Sequence, residues 1–307
     1  MQTETDGRQP VAYAMLAAVM LFWAGNTIVG RAVAGSVPPF TLAFVRWAGA
    51  SLVLLPFAWP HLKVDLPAIR RNWPILLTLG VLGIGMFNAL LYTSLHYTTA
   101  TNSLLLQAAI PPMVLLFDAL IFRVRPQRAQ LLGVLLSCAG VIAVISGGHL
   151  ETLTHLRFGT GDLLMLAAVT IWGLYTSLLR LRPAMDWRSF LFSTFIVGVV
   201  VLLPAAASEW RDFHIATLGP PQWGAFLYVA LLPSLLSYAL FNAAVERVGP
   251  GPAGQASTLL PLFGALLAAL LLNEPLGRHH LVGMALILTG ILVAALGQRR
   301  LRKEPDL

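Results

Sequence analysis

The chain is dominated by apolar segments of about the length that a helix needs to cross a lipid bilayer. About 20 helical residues span the roughly 30 Å of hydrocarbon. Only 11% of the residues are charged, against about 25% in soluble domains. The sequence therefore predicts an all-α membrane protein with ten transmembrane helices, at about 11–33, 40–59, 73–95, 101–122, 129–147, 162–180, 188–206, 223–245, 252–272 and 279–297.

The basic residues are distributed unequally between the two sides of these predicted helices. With the N-terminus placed in the cytoplasm, fifteen of the 20 lysines and arginines fall in loops and tails on the cytoplasmic side. Four fall on the other side, and Arg46 lies inside the second helix. By the positive-inside rule we expect both termini, including a basic tail over 298–307, to be cytoplasmic. The net charge of +7 reflects this topology and does not indicate a nucleic-acid partner.

The sequence repeats itself at an offset of 150 residues. The identical pairs include Pro111 and Pro261, Gly133 and Gly283, and Gly140 and Gly290. We assign the first copy to residues 11–147 and the second to 162–297, each with five predicted helices. An odd number of helices forces the second copy to enter the membrane upside down relative to the first. Such inverted repeats are typical of alternating-access transporters, whose site lies between the halves near the middle of the membrane.

Several motifs follow one another in a fixed order along these helices. They are Leu21-Phe-Trp-Ala-Gly-Asn-Thr-Ile-Val-Gly-Arg31, Leu42-Ala-Phe-Val-Arg-Trp47, Pro111, and Asn273-Glu-Pro275 with Gly283 and Gly290. Together they resemble the EamA repeat of the drug/metabolite transporter superfamily, over roughly residues 11–297. Within that superfamily the chain is most similar to bacterial aromatic amino-acid exporters. It departs from the pattern at Val124-Arg125, where the first half lacks the Glu-Pro that the second half carries at Glu274.

This resemblance implies a ten-helix transporter of the bacterial inner membrane, with a central cavity lined by helices one, three, four, six, eight and nine. The positions of polar residues support the same set independently. In hydrocarbon a polar side chain is tolerated only where it meets another helix, backbone or water. Helices two, five, seven and ten carry fewer such residues, so we expect them to lie away from the cavity.

Polar and aromatic residues in matched positions are the candidates for substrate binding. Asn88 and Tyr92 lie four residues apart and therefore share one helical face, and Tyr238 and Asn242 occupy the corresponding positions in reverse order. We predict a substrate site formed by Trp23, Asn26, Asn88, Tyr92, Gln107, Trp172, Tyr175, Tyr238, Asn242 and Ser257. The alternative is that these aromatic residues fill space between helices and the amides only join neighbouring helices by hydrogen bonds.

Pro111 and Pro261 lie at equivalent positions inside apolar runs. Proline has no N–H, so we expect the carbonyls of Gln107 and Ser257, four residues earlier, to lose their helical partners. A free carbonyl beside a polar side chain suits a water-filled cavity and makes the helix easier to bend. We therefore predict that both prolines are hinges for gating, the alternative being a fixed packing kink.

The charged residues inside the predicted helices give less guidance. Arg46 lies near the outer end of its helix, where it could extend to the surface, pair with a carbonyl or sense an anionic group. Asp118 lies near an inner end, and we expect it to be an ion-paired anchor beside Arg123. The sequence has no motif of a metalloprotease or a hydrolase triad, so we predict no enzyme activity, no metal site and no cofactor.

Amides, aromatic faces and free carbonyls fit the zwitterionic head group of an amino acid. We therefore predict an exporter of broad specificity for amino acids, including aromatic ones, that works by alternating access. Its expected partners are this small-molecule substrate and membrane lipids; no oligomer is indicated, and a monomer is compatible with the sequence. The alternatives are an exporter of another metabolite or drug, a passive facilitator or channel, and an intramembrane enzyme.

Overall fold

The computed structural model of the chain describes residues 8–124, 128–145, 159–248, 256 and 259–303. Within these ranges the chain is almost entirely helical, and no strand occurs. We number the helices in chain order and join segments that continue through a π-helical or 3-10 turn. They are α1 (Arg8–Val33), α2 (Pro39–Arg71), α3 (Trp73–Ser94), α4 (Ala100–Phe122), α5 (Arg128–Ile145), α6 (Thr160–Leu181), α7 (Trp187–Glu209), α8 (220–248), α9 (Leu259–Leu271) and α10 (Arg278–Lys303).

Seven of the described helices, α1 to α4 and α6 to α8, are long and apolar enough to cross a membrane. Two shorter apolar stretches are Arg128–Gly140 in α5 and Leu259–Leu271 in α9. The chain is thus an all-helical, multi-pass membrane protein, as the sequence predicts. That ten helices cross the membrane, with the second half inverted, stays a prediction.

Helix α2 extends well past the end that the sequence predicts for the second helix. It is 33 residues long in all, ends at Arg71 and contains three prolines, Pro56, Pro60 and Pro67. A proline removes one helical hydrogen bond but does not end a membrane helix whose neighbours hold it in place. The last turns of α2 reach the start of α7, where Asp65 accepts a hydrogen bond from the backbone N–H of Asp186 at 3.1 Å.

The two halves share local backbone features at the offset of the sequence repeat. A π-helical segment interrupts α3 at Gly80–Met86, and another interrupts α8 at Leu231–Leu236. Arg123 and Asn273 follow α4 and α9 with φ values of 56° and 53°. In both places the next N–H bonds to the carbonyl six residues earlier, at 3.2 and 3.3 Å. The repeat is therefore present in the backbone as well as in the sequence.

Helices α5 and α10 pack closely through glycines. A Cβ atom at Gly140 would lie 2.6 Å from the carbonyl oxygen of Gly283, and one at Gly290 would lie 2.5 Å from that of Gly133. These reciprocal contacts make the two helices antiparallel. Small residues at such a crossing let two membrane helices approach with their backbones in contact.

Acidic side chains close one end of the helical bundle, which we call the capped end. The Glu209 carboxylate accepts hydrogen bonds from the N–H groups of Phe40 and Thr41 at the start of α2, at 3.1 and 2.7 Å. The Glu274 carboxylate does the same for Ala100 and Thr101 at the start of α4, at 3.0 Å each. A helix N-terminus has unpaired N–H groups and a partial positive charge, so a carboxylate stabilises it.

At the opposite end of the bundle, Asp118 of α4 forms an ion pair with Arg180 of α6 and accepts a hydrogen bond from the Ser177 hydroxyl at 2.6 Å. The expected partner, Arg123, is exposed and follows α4 in a left-handed conformation. Asp118 is thus ion-paired, and its partner is an arginine of the other half of the chain.

Candidate substrate site

A cavity of about 140 Å³ lies among the helices of both halves. Helices α1, α3, α4, α6, α8 and α9 contribute to its wall, together with α2 through Arg46 and Trp47. The predicted residues that line it are Trp23, Asn26, Asn88, Gln107, Pro111, Trp172, Tyr238 and Pro261. The sequence therefore predicts six of the contributing helices, and α2 is the addition.

Two further predicted site residues, Tyr92 and Tyr175, are described but do not line the cavity. Tyr92 is buried behind the cavity wall, where its hydroxyl donates to Asn26 Oδ1 at 2.7 Å. Tyr175 is also buried, and its ring centre lies 5.0 Å from that of Trp172. The side chain of Asn242 and the whole of Ser257 lie outside the described residues.

Arg46 is the centre of a polar network at the cavity wall. Its side chain is 5% exposed, and its Nη1 donates to Asn26 Oδ1 at 3.0 Å, to Asn88 Oδ1 at 2.8 Å and to the Tyr92 hydroxyl at 3.2 Å. Its Nε donates to Ser234 Oγ at 2.7 Å. The network joins α1, α2 and α3 of the first half to α8 of the second.

The π-helical segments orient the acceptors of this network. In α3 the amide nitrogen of Asn88 donates to the carbonyls of Gly83 and Ile84 at 3.2 and 3.0 Å, which leaves Oδ1 for Arg46. In α8 the Ser234 hydroxyl donates to the Val229 carbonyl at 2.8 Å and accepts from Arg46 with its lone pair. A π-helical turn breaks the regular pattern of backbone bonds, so its carbonyls are available to side chains.

Aromatic side chains form the other part of the wall. Trp172 of α6 packs on Phe87 of α3 with ring centres 4.5 Å apart. The ring centres of Trp23 in α1 and Tyr238 in α8 lie 6.1 Å apart, and the Trp23 indole N–H donates to the carbonyl of Pro233 at 3.0 Å. Such faces can accept an apolar group or an ammonium group.

The break in α4 lies where the sequence predicts it, but the prediction that the Gln107 carbonyl is free is wrong. Gln107–Ala109 form a 3-10 turn, and Pro111 stands in the first turn of the helical segment that follows. The N–H of Ile110 bonds to the carbonyl of Gln107, because the tighter turn supplies the partner that proline cannot. In α9, Pro261 is buried at the cavity wall.

Sequence reasoning missed the inward position of Arg46 and the part played by Ser234. The one signal for Arg46 is that it is a basic residue inside a predicted membrane helix, and nothing in the sequence singles out Ser234. An arginine two turns into a helix can reach the surface or the interior, and only the packing of α1, α3 and α8 decides between them. Among the described residues, no group of three or more His, Cys, Asp or Glu is placed to hold a metal ion.

Comparison with known proteins places the chain in a family. The model of the EamA-like transporter family matches residues 10–146 and again 159–296. The chain is 28% identical to an uncharacterized transporter, YetK, of Bacillus subtilis over 97% of this chain and 90% of the relative.

It is also 28% identical to a probable amino-acid metabolite efflux pump of Salmonella typhimurium, over 92% of this chain and 93% of that protein. The same identity relates it to a probable terminal-alkyne amino-acid exporter of Streptantibioticus cattleyicolor, over 86% and 87%. A solved crystal structure with 18% identity covers 95% of this chain and 99% of its own, with a TM-score of 0.64, which supports the fold alone. Because the family model matches both halves, the protein belongs to the EamA-like transporter family.

Proposed function

We propose that the protein is an inner-membrane exporter of amino acids with broad specificity, including aromatic ones, and that it works by alternating access. The observation that carries this proposal is one cavity lined by both halves of a transporter-family chain, with amide groups and a guanidinium on one part of its wall and aromatic faces on another. An amino acid carries both kinds of complementary group. Two relatives with amino-acid export in their names point in the same direction.

The proposed architecture is ten membrane-spanning helices in two inverted five-helix units, 11–147 and 162–297, followed by a basic tail over 298–307. Three observations support it. The family model matches twice, at 10–146 and 159–296. The π-helical segments and left-handed helix ends recur at the repeat offset, and α5 and α10 cross through the reciprocal glycine contacts.

The proposed orientation places both termini in the cytoplasm, because the basic residues cluster in the loops and tails of that side. The capped end then faces the outside. The proposed substrate site consists of the residues that the sequence predicts, with Arg46 added, and the proposed hinges are Pro111 and Pro261. Asn242 and Ser257 belong to the proposal on their positions in the sequence repeat.

Transport by the purified full-length protein in liposomes tests this function. We expect uptake of several amino acids, with phenylalanine among them, and acceleration when unlabelled amino acid is present on the far side, since only a carrier shows such counterflow. Uptake restricted to nucleobases or cationic drugs would assign another substrate class. Uptake without counterflow would indicate a channel, and conversion of the solute would indicate an enzyme.

A further inference from the structure

No carboxylate among the described side chains neutralises the charge of Arg46. Its described hydrogen-bond partners are two amide oxygens and two hydroxyls, all uncharged. The ion pairs of the described side chains involve other residues, and none joins a carboxylate to Arg46. A buried charge without a counter-charge is unfavourable in a membrane interior.

The guanidinium also has unused donors. It carries five N–H groups, of which Nε and Nη1 serve the network. Nη2 donates to no residue that the structure describes, and Arg46 lines the cavity. The guanidinium carbon lies 4.6 Å from the centre of the Trp47 ring, a cation–π contact. A solute in the cavity can therefore meet an oriented pair of donors.

The network holds Arg46 in place and leaves its charge available. Asn26 and Asn88 supply amide oxygens where aspartates of the same shape would supply an internal counter-charge. An amide accepts one N–H without cancelling the positive charge, so the counter-charge has to come with the solute. A carboxylate accepts charge-assisted hydrogen bonds from a guanidinium, and Nη2 has two N–H groups for them; an ammonium group cannot accept such a bond, and an amide oxygen brings no negative charge.

We propose that Arg46 binds the carboxylate of the transported solute and restricts the cavity to molecules that carry one. The inference rests on the proposed function and deepens it: the amino acid lies with its carboxylate at Arg46 and its side chain against the aromatic wall at Trp172 and Phe87. Amines and cationic drugs that lack a carboxylate are poor ligands, because the guanidinium then stays buried without a counter-charge and repels a cation.

Four ligands of nearly one shape test the requirement on the wild-type protein. They are L-phenylalanine, L-phenylalaninamide, 3-phenylpropanoate and 3-phenylpropanamide, with affinity measured by calorimetry on the full-length protein in detergent. We expect each acid to bind roughly ten- to a hundredfold more tightly than its amide, as for the loss of a hydrogen bond to a charged group. Equal affinity of acid and amide in both pairs would overturn the proposal.

Variants then assign the preference to Arg46. Arg46→Gln should lower the affinity for L-phenylalanine to that for its amide, and Arg46→Lys should retain part of the difference, since it keeps the charge but not the planar donors. Asn26→Asp should weaken the binding of both acids, because its carboxylate neutralises Arg46 internally. Ser193→Ala is the control, since among the described contacts that hydroxyl bonds within α7, to the carbonyl of Ser189 at 2.7 Å.

The outcomes separate this inference from the proposed function. Transport of amino acids with no preference for acid over amide leaves the function standing and removes the role of Arg46. Preference for 3-phenylpropanoate over its amide, without transport of any amino acid, supports Arg46 and contradicts the function. Binding of none of the four ligands contradicts both. If Arg46→Gln does not fold, the ligand series on the wild type and Asn26→Asp still decide the question.

Discussion

Asn88 connects the backbone of α3 to the charge of Arg46 with opposite ends of one amide. Its nitrogen donates to two carbonyls of the π-helical segment, and its oxygen accepts from Nη1. The backbone bonds therefore fix which end of the amide faces the guanidinium. A leucine of similar size would leave both the carbonyls and the arginine with one partner fewer.

Removal of the Tyr92 hydroxyl tests the network without touching the cavity wall. In Tyr92→Phe the ring stays packed, but the hydrogen bonds to Asn26 at 2.7 Å and from Arg46 at 3.2 Å are lost. We expect a loss on the order of 1 kcal/mol, seen as a several-fold weaker apparent affinity in liposome uptake. Ser193→Ala should leave the affinity unchanged, and an unchanged affinity in Tyr92→Phe would place Tyr92 outside substrate binding.

At the residue scale the sequence predicts residues that line the cavity better than it predicts their contacts. The spacing of Asn88 and Tyr92 predicts a shared face, and both side chains contact Arg46. The spacing cannot predict Arg46 itself, because the direction of a long side chain depends on helices distant in sequence. The prediction of a free Gln107 carbonyl is wrong because it assumes a regular helix. In the 3-10 turn, the N–H of Ile110 bonds to that carbonyl instead.

At the scale of elements, the helix crossing between α5 and α10 depends on having no side chain at its contact points. A Cβ at Gly140 or Gly290 would meet backbone atoms of the opposing helix, which cannot move as a flexible side chain can. The offset of 150 predicts that Gly140 and Gly290 are equivalent, and in the structure Gly140 lies against Gly283 while Gly290 lies against Gly133. The π-helical segments have no such signal, because they arise where tertiary contacts favour an extra residue in a turn.

Gly140→Ala should therefore destabilise the protein. The added methyl group has to separate α5 from α10 or distort one of them, and overpacking of this kind typically lowers the free energy of unfolding by about 1–3 kcal/mol. The measurement is the thermal unfolding midpoint of the purified protein in detergent. Gly224→Ala in α8 is the matched control, since no atom lies within 4 Å of its Cβ position; equal midpoints for the two variants would contradict the close crossing.

The proposed hinges at Pro111 and Pro261 can be tested by the rate of transport. Replacing Pro111 and Pro261 by alanine restores two N–H groups and favours regular helix where α4 now passes through a 3-10 turn. We expect slower transport in liposomes at an unchanged unfolding midpoint, because the helices bend less readily. Pro204→Ala, at an exposed position inside α7, should leave the rate unchanged. Wild-type rates in the folded double variant would make both prolines fixed kinks.

At the scale of the whole molecule, the two halves contact each other by different chemistry at the two ends of the bundle. At the capped end, Glu209 and Glu274 of the second half bond to helix starts of the first half. At the opposite end, Asp118 of the first half pairs with Arg180 of the second. Alternating access requires contacts of this kind to break at one end while they form at the other.

The proposed topology can be tested by labelling single cysteines in intact cells and inverted vesicles. A cysteine at Lys63 or Arg182 should react with an impermeant reagent only from the cytoplasm, and one at Thr152 only from outside. Cys138 would be replaced by serine first, so that the introduced thiol is the one that reacts. Labelling of positions 63 and 152 from the same side would contradict the inverted arrangement of the two halves.

The last prediction concerns Asp118 and the source of energy for transport. Among the described side chains Asp118 is the acid that lies well inside a predicted helix, it is 6% exposed, and it is held by Arg180 and Ser177 at the end opposite the caps. A carboxyl that carries protons across a membrane has to reach both sides, whereas this one is fixed by an ion pair at one end.

We therefore expect transport down the substrate gradient, and Asp118→Asn should retain it in liposomes while opening that end of the bundle more readily. Arg180→Gln should behave in the same way, since it removes the other half of the pair. Accumulation of substrate driven by an imposed pH gradient, present in the wild type and lost in Asp118→Asn but kept in Arg180→Gln, would instead make Asp118 the coupling residue.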